Sequence, residues 1–289
     1  MNPKYLKSVE YNIVEHCNLT CAGCDHASPV MGKTFIDIEA FRSDLLALKD
    51  KVAIGTFKLL GGEPTLHPKL LQFMEIVKLM PFIDKLCVIT NGTALHKMDE
   101  AFFAHLDILQ ITFYPGVSVP MSRRALEEKR NQYGFQLDME DKTRFRNTII
   151  DFPNEDKALV EKIYASCELP KVYACHTIRG GKFYKCSPAA FTKDRLAKVG
   201  MYFSDQGDAI SIHGEEFSPT SLQDYLQAQS PLPSCRFCLG TCGTFFDYYQ
   251  VPRAELKVTK SVSASCPSGE VTDLIDLPYL HKRLASLKS

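Results

Sequence analysis

The fold is decided by residues 9–24, which read VEYNIVEHCNLTCAGC. The first six residues, 9–14, alternate polar and apolar side chains, and this pattern predicts a β-strand. Three cysteines with the spacing C-x3-C-x2-C follow the strand directly: Cys17, Cys21 and Cys24. Three thiolates on one loop can bind three irons of a cubane iron–sulfur cluster, which leaves the fourth iron open to a ligand. The alternative is a zinc site or three unconnected core cysteines, and this spacing directly after a strand argues against it.

Composition limits what kind of protein this is. The chain has 289 residues, with 34 Lys+Arg against 34 Asp+Glu, and this balance argues against nucleic-acid or anionic-lipid partners. No run of 18 apolar residues predicts a membrane span. The amino terminus lacks the apolar core of a signal peptide, so we expect a cytoplasmic protein. In that reducing compartment the 11 cysteines predict metal ligation or catalysis rather than disulfides.

Strands and helices alternate over the first half of the chain. Strands are predicted at 9–14, 57–60, 86–90, 108–113 and 135–139. Helices are predicted after an N-cap at Asp37, from Pro68, at 101–106, from Pro120 to 133–134, and at 154–165. This order predicts right-handed βαβ units and a parallel sheet. Five or six units form an α/β fold with an open, partial (β/α)6 TIM-like barrel, whose chemistry lies at the carboxyl ends of the strands.

The regular alternation of predicted strands and helices ends near residue 166. Residues 173–185 predict a hairpin around Gly180-Gly181, and cysteine-rich loops follow a further helix. We therefore expect a barrel domain at 1–165 and a small carboxyl-terminal module at 166–289.

A second motif follows the second strand, about 40 residues after the cysteine loop: Leu60-Gly61-Gly62-Glu63-Pro64. Glycines allow close backbone approach, and the carboxylate of Glu63 can pair with an ammonium group. The two motifs together resemble the radical S-adenosylmethionine (SAM) superfamily, with its C-x3-C-x-aromatic-C and GGEP motifs. One position departs from that pattern, because Gly23 stands where an aromatic residue is usual.

The resemblance implies a [4Fe-4S] cluster that binds SAM and cleaves it to a 5′-deoxyadenosyl radical, which abstracts hydrogen from substrate. It also implies an electron donor such as flavodoxin or ferredoxin. The predicted cofactor-binding residues are Gly61, Gly62, Glu63 and Pro64. To these we add Thr90 and Asn91 at the end of the third strand, Gln110 and Thr112 along the fourth, and Asp138 along the fifth. The alternative for each of these five is a polar residue of the barrel whose hydrogen bonds are already satisfied.

A second set of cysteines lies in the carboxyl-terminal module. A two-residue turn at Gly180-Gly181 would place Cys175 and Cys186 opposite each other, and Cys235-x2-Cys238 comes later. Four thiolates suit zinc as well as a cluster on spacing alone. Gly181-x4-Cys186 resembles the G-x4-C element of twitch and SPASM modules, which implies one auxiliary [4Fe-4S] cluster held by these four cysteines. Cys167 is a possible substitute for Cys175.

Two further cysteines, Cys242 and Cys266, are candidate catalytic residues. A thiol can give its hydrogen atom to a substrate radical because an S–H bond is weaker than an alkyl C–H bond. Hydrogen delivered to the face opposite the abstraction would invert a carbon. Each of these cysteines could also be an inert buried thiol or a misassigned ligand.

The stretch 15–29 resembles twitch-type enzymes of the neomycin C epimerase kind, which act on carbohydrates and aminoglycosides. The resemblance implies a radical epimerase of a hydroxyl-bearing carbon in a sugar or aminoglycoside-like small molecule. A dehydrogenase or dehydratase of a similar substrate is the first alternative. A peptide-modifying enzyme ranks lower, since only sixteen residues precede Cys17. An iron–sulfur electron carrier or scaffold is the non-enzymatic alternative, and the Gly61-Gly62-Glu63 segment argues against it.

Overall fold

The computed structural model describes residues 2–256 and 270–287. The strands in these ranges are β1 (Lys4–Val14), β2 (Val52–Gly61), β3 (Ile83–Thr90), β4 (Ile108–Phe113), β5 (Gln136–Asp141), β6 (Arg144–Arg146), β7 (His176–Arg179), β8 (Lys182–Tyr184), β9 (Ala209–Ser211) and β10 (Phe245–Asp247). The α-helices are α1 (Ile38–Leu48), α2 (Leu70–Lys78), α3 (Glu100–His105), α4 (Arg123–Tyr133), α5 (Lys157–Ser166), α6 (Ser187–Lys198), α7 (Pro219–Gln227), α8 (Arg253–Leu256) and α9 (Leu277–Ser286). No helix within these two ranges has the length and apolar character that a membrane span requires.

Eight strands form one sheet in the order β5-β4-β3-β2-β1-β7-β8-β9. Strands β1 to β5 pair in parallel, and β7 pairs in parallel with β1 on its other side. Helices α1 to α4 connect successive parallel strands, as right-handed βαβ units require. The sheet has two free edges, at β5 and β9, so it is open. The predicted α/β fold with a partial, unclosed barrel is confirmed.

The two faces of β1 have different roles because successive side chains of a strand point in opposite directions. Val9, Tyr11 and Ile13 are buried in the main apolar core with residues of α1 and α2. The alternate residues Glu10 and Asn12 are also buried, and Glu10 lines a cavity on the other face. The inner face of this central strand is therefore polar.

Two predicted helix starts were wrong by a few residues. Helix α2 begins at Leu70 rather than Pro68, because the Lys69 N–H donates to His67 Nδ1 and holds a turn before the helix. Helix α4 begins after Ser122 rather than at Pro120, because the Ser122 hydroxyl accepts from the Ala125 N–H and caps the helix. The predicted cap at Asp37 is confirmed, since its carboxylate accepts from two N–H groups at the start of α1.

The predicted hairpin is confirmed as β7 and β8, with Gly180 and Gly181 at φ values of 56° and 70°. Cys175 and Cys186, however, do not meet across its open end. Ala174 has a left-handed φ of 49°, and the Cys175 N–H donates to the carbonyl of Leu169, so the chain turns away before β7. Cys186 is the N-cap residue of α6.

The predicted division at residues 165 and 166 stays a prediction. Strand β7, which follows this position, belongs to the same sheet as the barrel strands. A second apolar cluster also spans the position, because it joins Ile150 and Ile163 to Leu274 and Leu280.

Candidate active site

A cavity of about 270 Å³ opens at the carboxyl ends of the parallel strands. Its lining contains most of the residues predicted to bind the first cluster and the cofactor: Cys17, Cys21, Cys24, Gly61, Gly62, Glu63, Thr90, Asn91, Gln110 and Thr112. Two of the predicted cofactor-binding residues, Pro64 and Asp138, are not in this lining. Pro64 is buried at the start of a short 3-10 turn, and the Asp138 carboxylate accepts from Gln136 Nε2 on its own strand. The topology thus brings together loops that are far apart in sequence.

The thiols of Cys17, Cys21 and Cys24 share one wall of the cavity. Burial raises the pKa of all three, to about 12 for Cys21, and the neighbouring charges raise them further. Thiolates buried this way need a positive partner, and a metal supplies it when it replaces the protons. Within residues 2–256 and 270–287, no three His, Cys, Asp or Glu side chains are grouped for a single metal ion.

The cysteine loop is held in place by the carboxyl-terminal part of the chain. The Ala22 N–H donates to the Tyr249 carbonyl at 3.0 Å, and the Val251 N–H donates to the Thr20 carbonyl at 2.8 Å. The thiol of Cys21 lies 3.7 Å from the hydroxyl of Tyr248. The loop is therefore ordered by a segment more than 220 residues later in the chain.

Gly23 has a positive φ of 64°, and a Cβ built on it would lie 2.8 Å from the ring of Phe246. The ring of Phe246, which lies on β10, thus occupies the space into which a side chain at position 23 would project. Tyr248 continues this aromatic surface, because it stacks on Tyr114 with ring centroids 4.9 Å apart. Sequence reasoning missed these residues, although four aromatics within residues 245–249 were a visible signal.

Gly23→Phe is expected to lower the free energy of unfolding by about 2–4 kcal/mol, from the positive φ and the clash with Phe246. Thermal unfolding of the purified protein measures this loss. Gly116→Phe is the matched control, because Gly116 has a φ of 72° and a Cβ added there would meet nothing within 4 Å. Equal losses in the two variants would show that Phe246 does not fill the space beside Gly23.

The two glycines after β2 make room for the chain that leads into the cysteine loop. A Cβ on Gly61 would lie 2.2 Å from the Val14 carbonyl oxygen, and one on Gly62 would lie 2.0 Å from that of His16. The Gly62 N–H donates to the Val14 carbonyl at 2.8 Å. These glycines therefore allow two backbone segments to touch, which fixes the loop of Glu63 against the cysteine loop.

Glu63 is almost completely buried and connects the ends of two strands. Its Oε1 accepts from the N–H and hydroxyl of Thr65 and from the Thr90 hydroxyl, and its Oε2 accepts from the Asn91 N–H at 2.8 Å. Burial raises the pKa of Glu63, while these donors act in the opposite direction. Each carboxylate oxygen has about two acceptor positions, and Oε2 has one donor, so Oε2 keeps one position for a further donor.

Four other cysteines surround a small pocket beside α5: Cys167, Cys186, Cys235 and Cys238. Burial raises the pKa of Cys186 and Cys238 well above the usual value, and the neighbouring thiols raise it further. The structure thus groups Cys167, rather than Cys175, with the three other predicted ligands of the second site. Cys175 lines the main cavity instead.

Two buried cations lie close to this second group of thiols. Lys185 is 1% exposed, and its Nζ donates to the Tyr164 hydroxyl at 2.8 Å and to the Ala228 carbonyl at 3.0 Å. Arg195 is also 1% exposed, pairs with Asp151 and leaves Nη1 without a hydrogen-bond partner. Among the described residues, no carboxylate forms an ion pair with Lys185. Burial lowers the pKa of Lys185, while the neighbouring Cys235 and Cys186 act in the opposite direction.

Of the two predicted catalytic cysteines, Cys242 does not line the cavity. Cys242 is fully buried in the second apolar cluster, against Ile150 and Leu239. Cys266 lies outside the described residues.

Two solved structures are similar to this chain at low sequence identity. The crystal structure of BtrN in complex with AdoMet and 2-DOIA has a TM-score of 0.47 and 17% identity, over 78% of this chain and 84% of that chain. Streptococcus suis SuiB bound to S-adenosylmethionine has a TM-score of 0.39 and 15% identity, over 48% of this chain and 34% of that chain. Similarity at this level carries no information on function.

Sequence comparison gives shorter but specific matches. The GTP 3′,8-cyclase of Chlorobaculum tepidum is 30% identical over 105 residues, which is 35% of this chain and 31% of the relative. The probable GTP 3′,8-cyclase of Pyrococcus horikoshii is 27% identical over 93 residues, 32% of this chain and 29% of the relative. The match thus spans under a third of either relative's length.

Residues 11–124 match the Radical SAM superfamily. The matched region runs from β1 to the start of α4, so it contains the cysteine loop, both glycines, Glu63 and the ends of β3 and β4. These are the same loops that the fold brings to one cavity, so the part of the chain that is similar to the radical SAM superfamily is the part that builds the cavity.

Proposed function

We propose that Cys17, Cys21 and Cys24 bind a [4Fe-4S] cluster whose open iron binds SAM, and that the enzyme abstracts hydrogen from a small polar substrate. The supporting observation is that three thiols on one loop face the same cavity as the buried Glu63 carboxylate. When bound, the cluster and SAM supply an electron and a 5′-deoxyadenosyl radical. The protein supplies the binding, the orientation and the exclusion of water.

The residues around the cavity have distinct roles in this proposal. Glu63 Oε2 accepts a hydrogen bond from the ammonium group of SAM. The Thr90 hydroxyl already donates to Glu63 Oε1 and holds the carboxylate in place. Gln110 and Thr112 present polar groups from β4. Tyr114 and the neighbouring Phe145 line the same cavity and offer ring surface to the adenine.

We also propose an auxiliary [4Fe-4S] cluster bound by Cys167, Cys186, Cys235 and Cys238. These four thiols surround one pocket, and the buried ammonium of Lys185 compensates negative charge there. The site is closed by four protein ligands, unlike the first. A closed site suits electron transfer, whereas the first site keeps an open position for SAM.

Cys167→Ala is expected to lower the iron content of the anaerobically reconstituted protein from about eight to about four irons per chain, since one of two four-iron clusters loses a ligand. Cys175→Ala is the matched variant, and we expect it to keep both clusters. Iron and acid-labile sulfide per chain give the measurement. Loss of iron from Cys175→Ala but not from Cys167→Ala would restore Cys175 as the fourth ligand.

The charge of the cavity favours a polar substrate without a triphosphate. Apart from Glu63, the described lining includes the acidic residues Glu10, Asp25 and Glu140, whereas Lys142 is basic. A nucleoside triphosphate carries several negative charges and needs a cluster of cations. The match to GTP 3′,8-cyclases covers about a third of the chain. The charges of this lining favour a hydroxyl- or amine-bearing small molecule over GTP.

We propose epimerisation of a hydroxyl-bearing carbon as the reaction, on a sugar or an aminoglycoside-like molecule. Anaerobic reconstitution, strong reductant and SAM test the first step, and 5′-deoxyadenosine is the expected product. A panel of aminoglycosides and sugar nucleotides in D2O tests the second, and the inverted carbon should carry deuterium. A ketone product would select a dehydrogenase instead. Failure to form 5′-deoxyadenosine would contradict the radical SAM assignment of the cavity.

A further inference from the structure

A third group of polar side chains lies on the inner face of the sheet, where the cavity reaches towards β7. It consists of Glu10 on β1, Lys58 on β2 and Cys175 just before β7. Lys58 Nζ lies 3.4 Å from Glu10 Oε1. The thiol of Cys175 interacts with the Glu10 carboxylate. Glu10 and Cys175 both line the cavity that contains the cysteine loop.

One of the two carboxylate oxygens of Glu10 lacks a hydrogen-bond partner. Glu10 is 6% exposed, and its Oε2 is buried without a nitrogen or oxygen donor. Leaving such an atom unpaired costs about 1–3 kcal/mol, so its persistence inside a cavity indicates a ligand group that completes it. This carboxylate oxygen and the thiol beside it therefore mark a part of the cavity that a substrate enters.

The topology places Cys175 on the side of β1 that is away from the strands proposed to hold SAM. The residues proposed to hold SAM lie on β2, β3 and β4 and in the loops that follow them. Cys175 comes from the opposite side, because β7 pairs with β1 on the edge that β2 does not use. A substrate bound over β1 would then be approached by SAM and by the thiol from different sides, as an inversion requires.

We propose that Cys175 is the catalytic thiol that returns a hydrogen atom to the substrate radical, with Glu10 and Lys58 as positioning residues. This inference rests on the epimerisation proposed above. It also replaces Cys242, which is enclosed in an apolar cluster outside the cavity.

The step balances in atoms and electrons. The substrate carbon radical takes the hydrogen atom, so a C–H bond forms as the S–H bond of Cys175 breaks. The thiyl radical on sulfur then takes one electron from a low-potential one-electron reductant and one proton from solvent, which restores the thiol. Burial raises the pKa of Cys175, as does the nearby Glu10 carboxylate, so the sulfur keeps its proton before the reaction.

The test uses SAM cleavage in D2O without substrate, so that it does not depend on the substrate's identity. The thiol exchanges its proton for deuterium and is the positioned donor for a carbon radical in the cavity. The reconstituted wild-type enzyme with SAM and dithionite is expected to form 5′-deoxyadenosine that carries one deuterium. In Cys175→Ala the deuterated fraction should fall about tenfold, because the positioned donor is lost.

Cys87→Ala is the matched control. Cys87 is a buried thiol on β3, the strand that pairs with β2, and it does not line the cavity. It should leave the deuterated fraction as in the wild type. If 5′-deoxyadenosine from the wild type and from Cys175→Ala carries the same fraction of deuterium, this inference is overturned. The proposed SAM chemistry is then unaffected. No 5′-deoxyadenosine from the wild type overturns the proposed function and, with it, this role.

Discussion

Cys24→Ala is expected to remove the cluster from the amino-terminal loop and to reduce 5′-deoxyadenosine formation to the level of an enzyme-free control. With two thiolates left, the loop cannot hold three corners of a cubane, and SAM loses the iron that it binds. The iron content should fall from about eight to about four irons per chain, because the auxiliary site keeps its own four ligands. Iron analysis and chromatography of the SAM cleavage products measure the two effects.

The control for this experiment is again Cys87→Ala, which removes a buried thiol that belongs to neither site. It should retain full iron content and SAM cleavage. The discriminating comparison is with Cys167→Ala, which should lose the same amount of iron but still cleave SAM. A Cys24→Ala variant that still cleaves SAM would remove the basis for assigning the amino-terminal loop as the cofactor site.

Much of the barrel could be predicted from local patterns, because each βα unit carries its own signals. The alternation in 9–14 and the capping carboxylate of Asp37 act over a few residues, and the structure follows them. The boundaries were less accurate where two signals competed. Pro120 can begin a helix, but Ser122 provides a side-chain acceptor for the first turn, and the helix begins after the serine.

The candidate site could be predicted where its residues come from loops directly after strands. The carboxyl ends of parallel strands meet at one edge, so Cys17 to Cys24 and Gly61 to Glu63 were expected to meet, and both segments line the cavity. The second cysteine group was harder to predict. Whether Cys167 or Cys175 joins it depends on the left-handed turn at Ala174, and an alanine gives no sequence signal for that conformation.

Contacts between residues far apart in the sequence could not be predicted. The ring of Phe246 that lies against Gly23 comes from a two-stranded sheet in which β10 pairs with β6. Nothing near Gly23 in the sequence specifies that contact. The residues that follow β10 also form backbone hydrogen bonds with the cysteine loop, so the carboxyl-terminal half completes a site whose motifs all lie in the first half.

Glu63→Gln is expected to weaken SAM binding to the cluster-loaded enzyme about ten- to hundredfold, because a hydrogen bond to a charged group contributes about 1.5–3 kcal/mol. The amide has nearly the same volume as the carboxylate but no charge to attract the ammonium group of SAM. The NH2 group of the introduced glutamine would face other donors, because Thr65, Thr90 and Asn91 all donate to the carboxylate of Glu63. We therefore expect the substitution to lower the stability of the fold as well. Equilibrium dialysis with labelled SAM measures the dissociation constant, and thermal unfolding measures the accompanying loss of stability.

Asp44→Asn separates the effect on binding from the effect on folding. Asp44 is also a buried carboxylate, which accepts from the Tyr11 hydroxyl at 2.8 Å and lies 2.7 Å from His213 Nε2. It does not line the cavity, so its loss should lower the unfolding temperature while the SAM dissociation constant changes by less than about threefold, as expected for independent sites. If Glu63→Gln lowers the unfolding temperature but binds SAM as tightly as Asp44→Asn does, then Glu63 is only the brace between β2 and β3, and the ammonium of SAM is bound elsewhere.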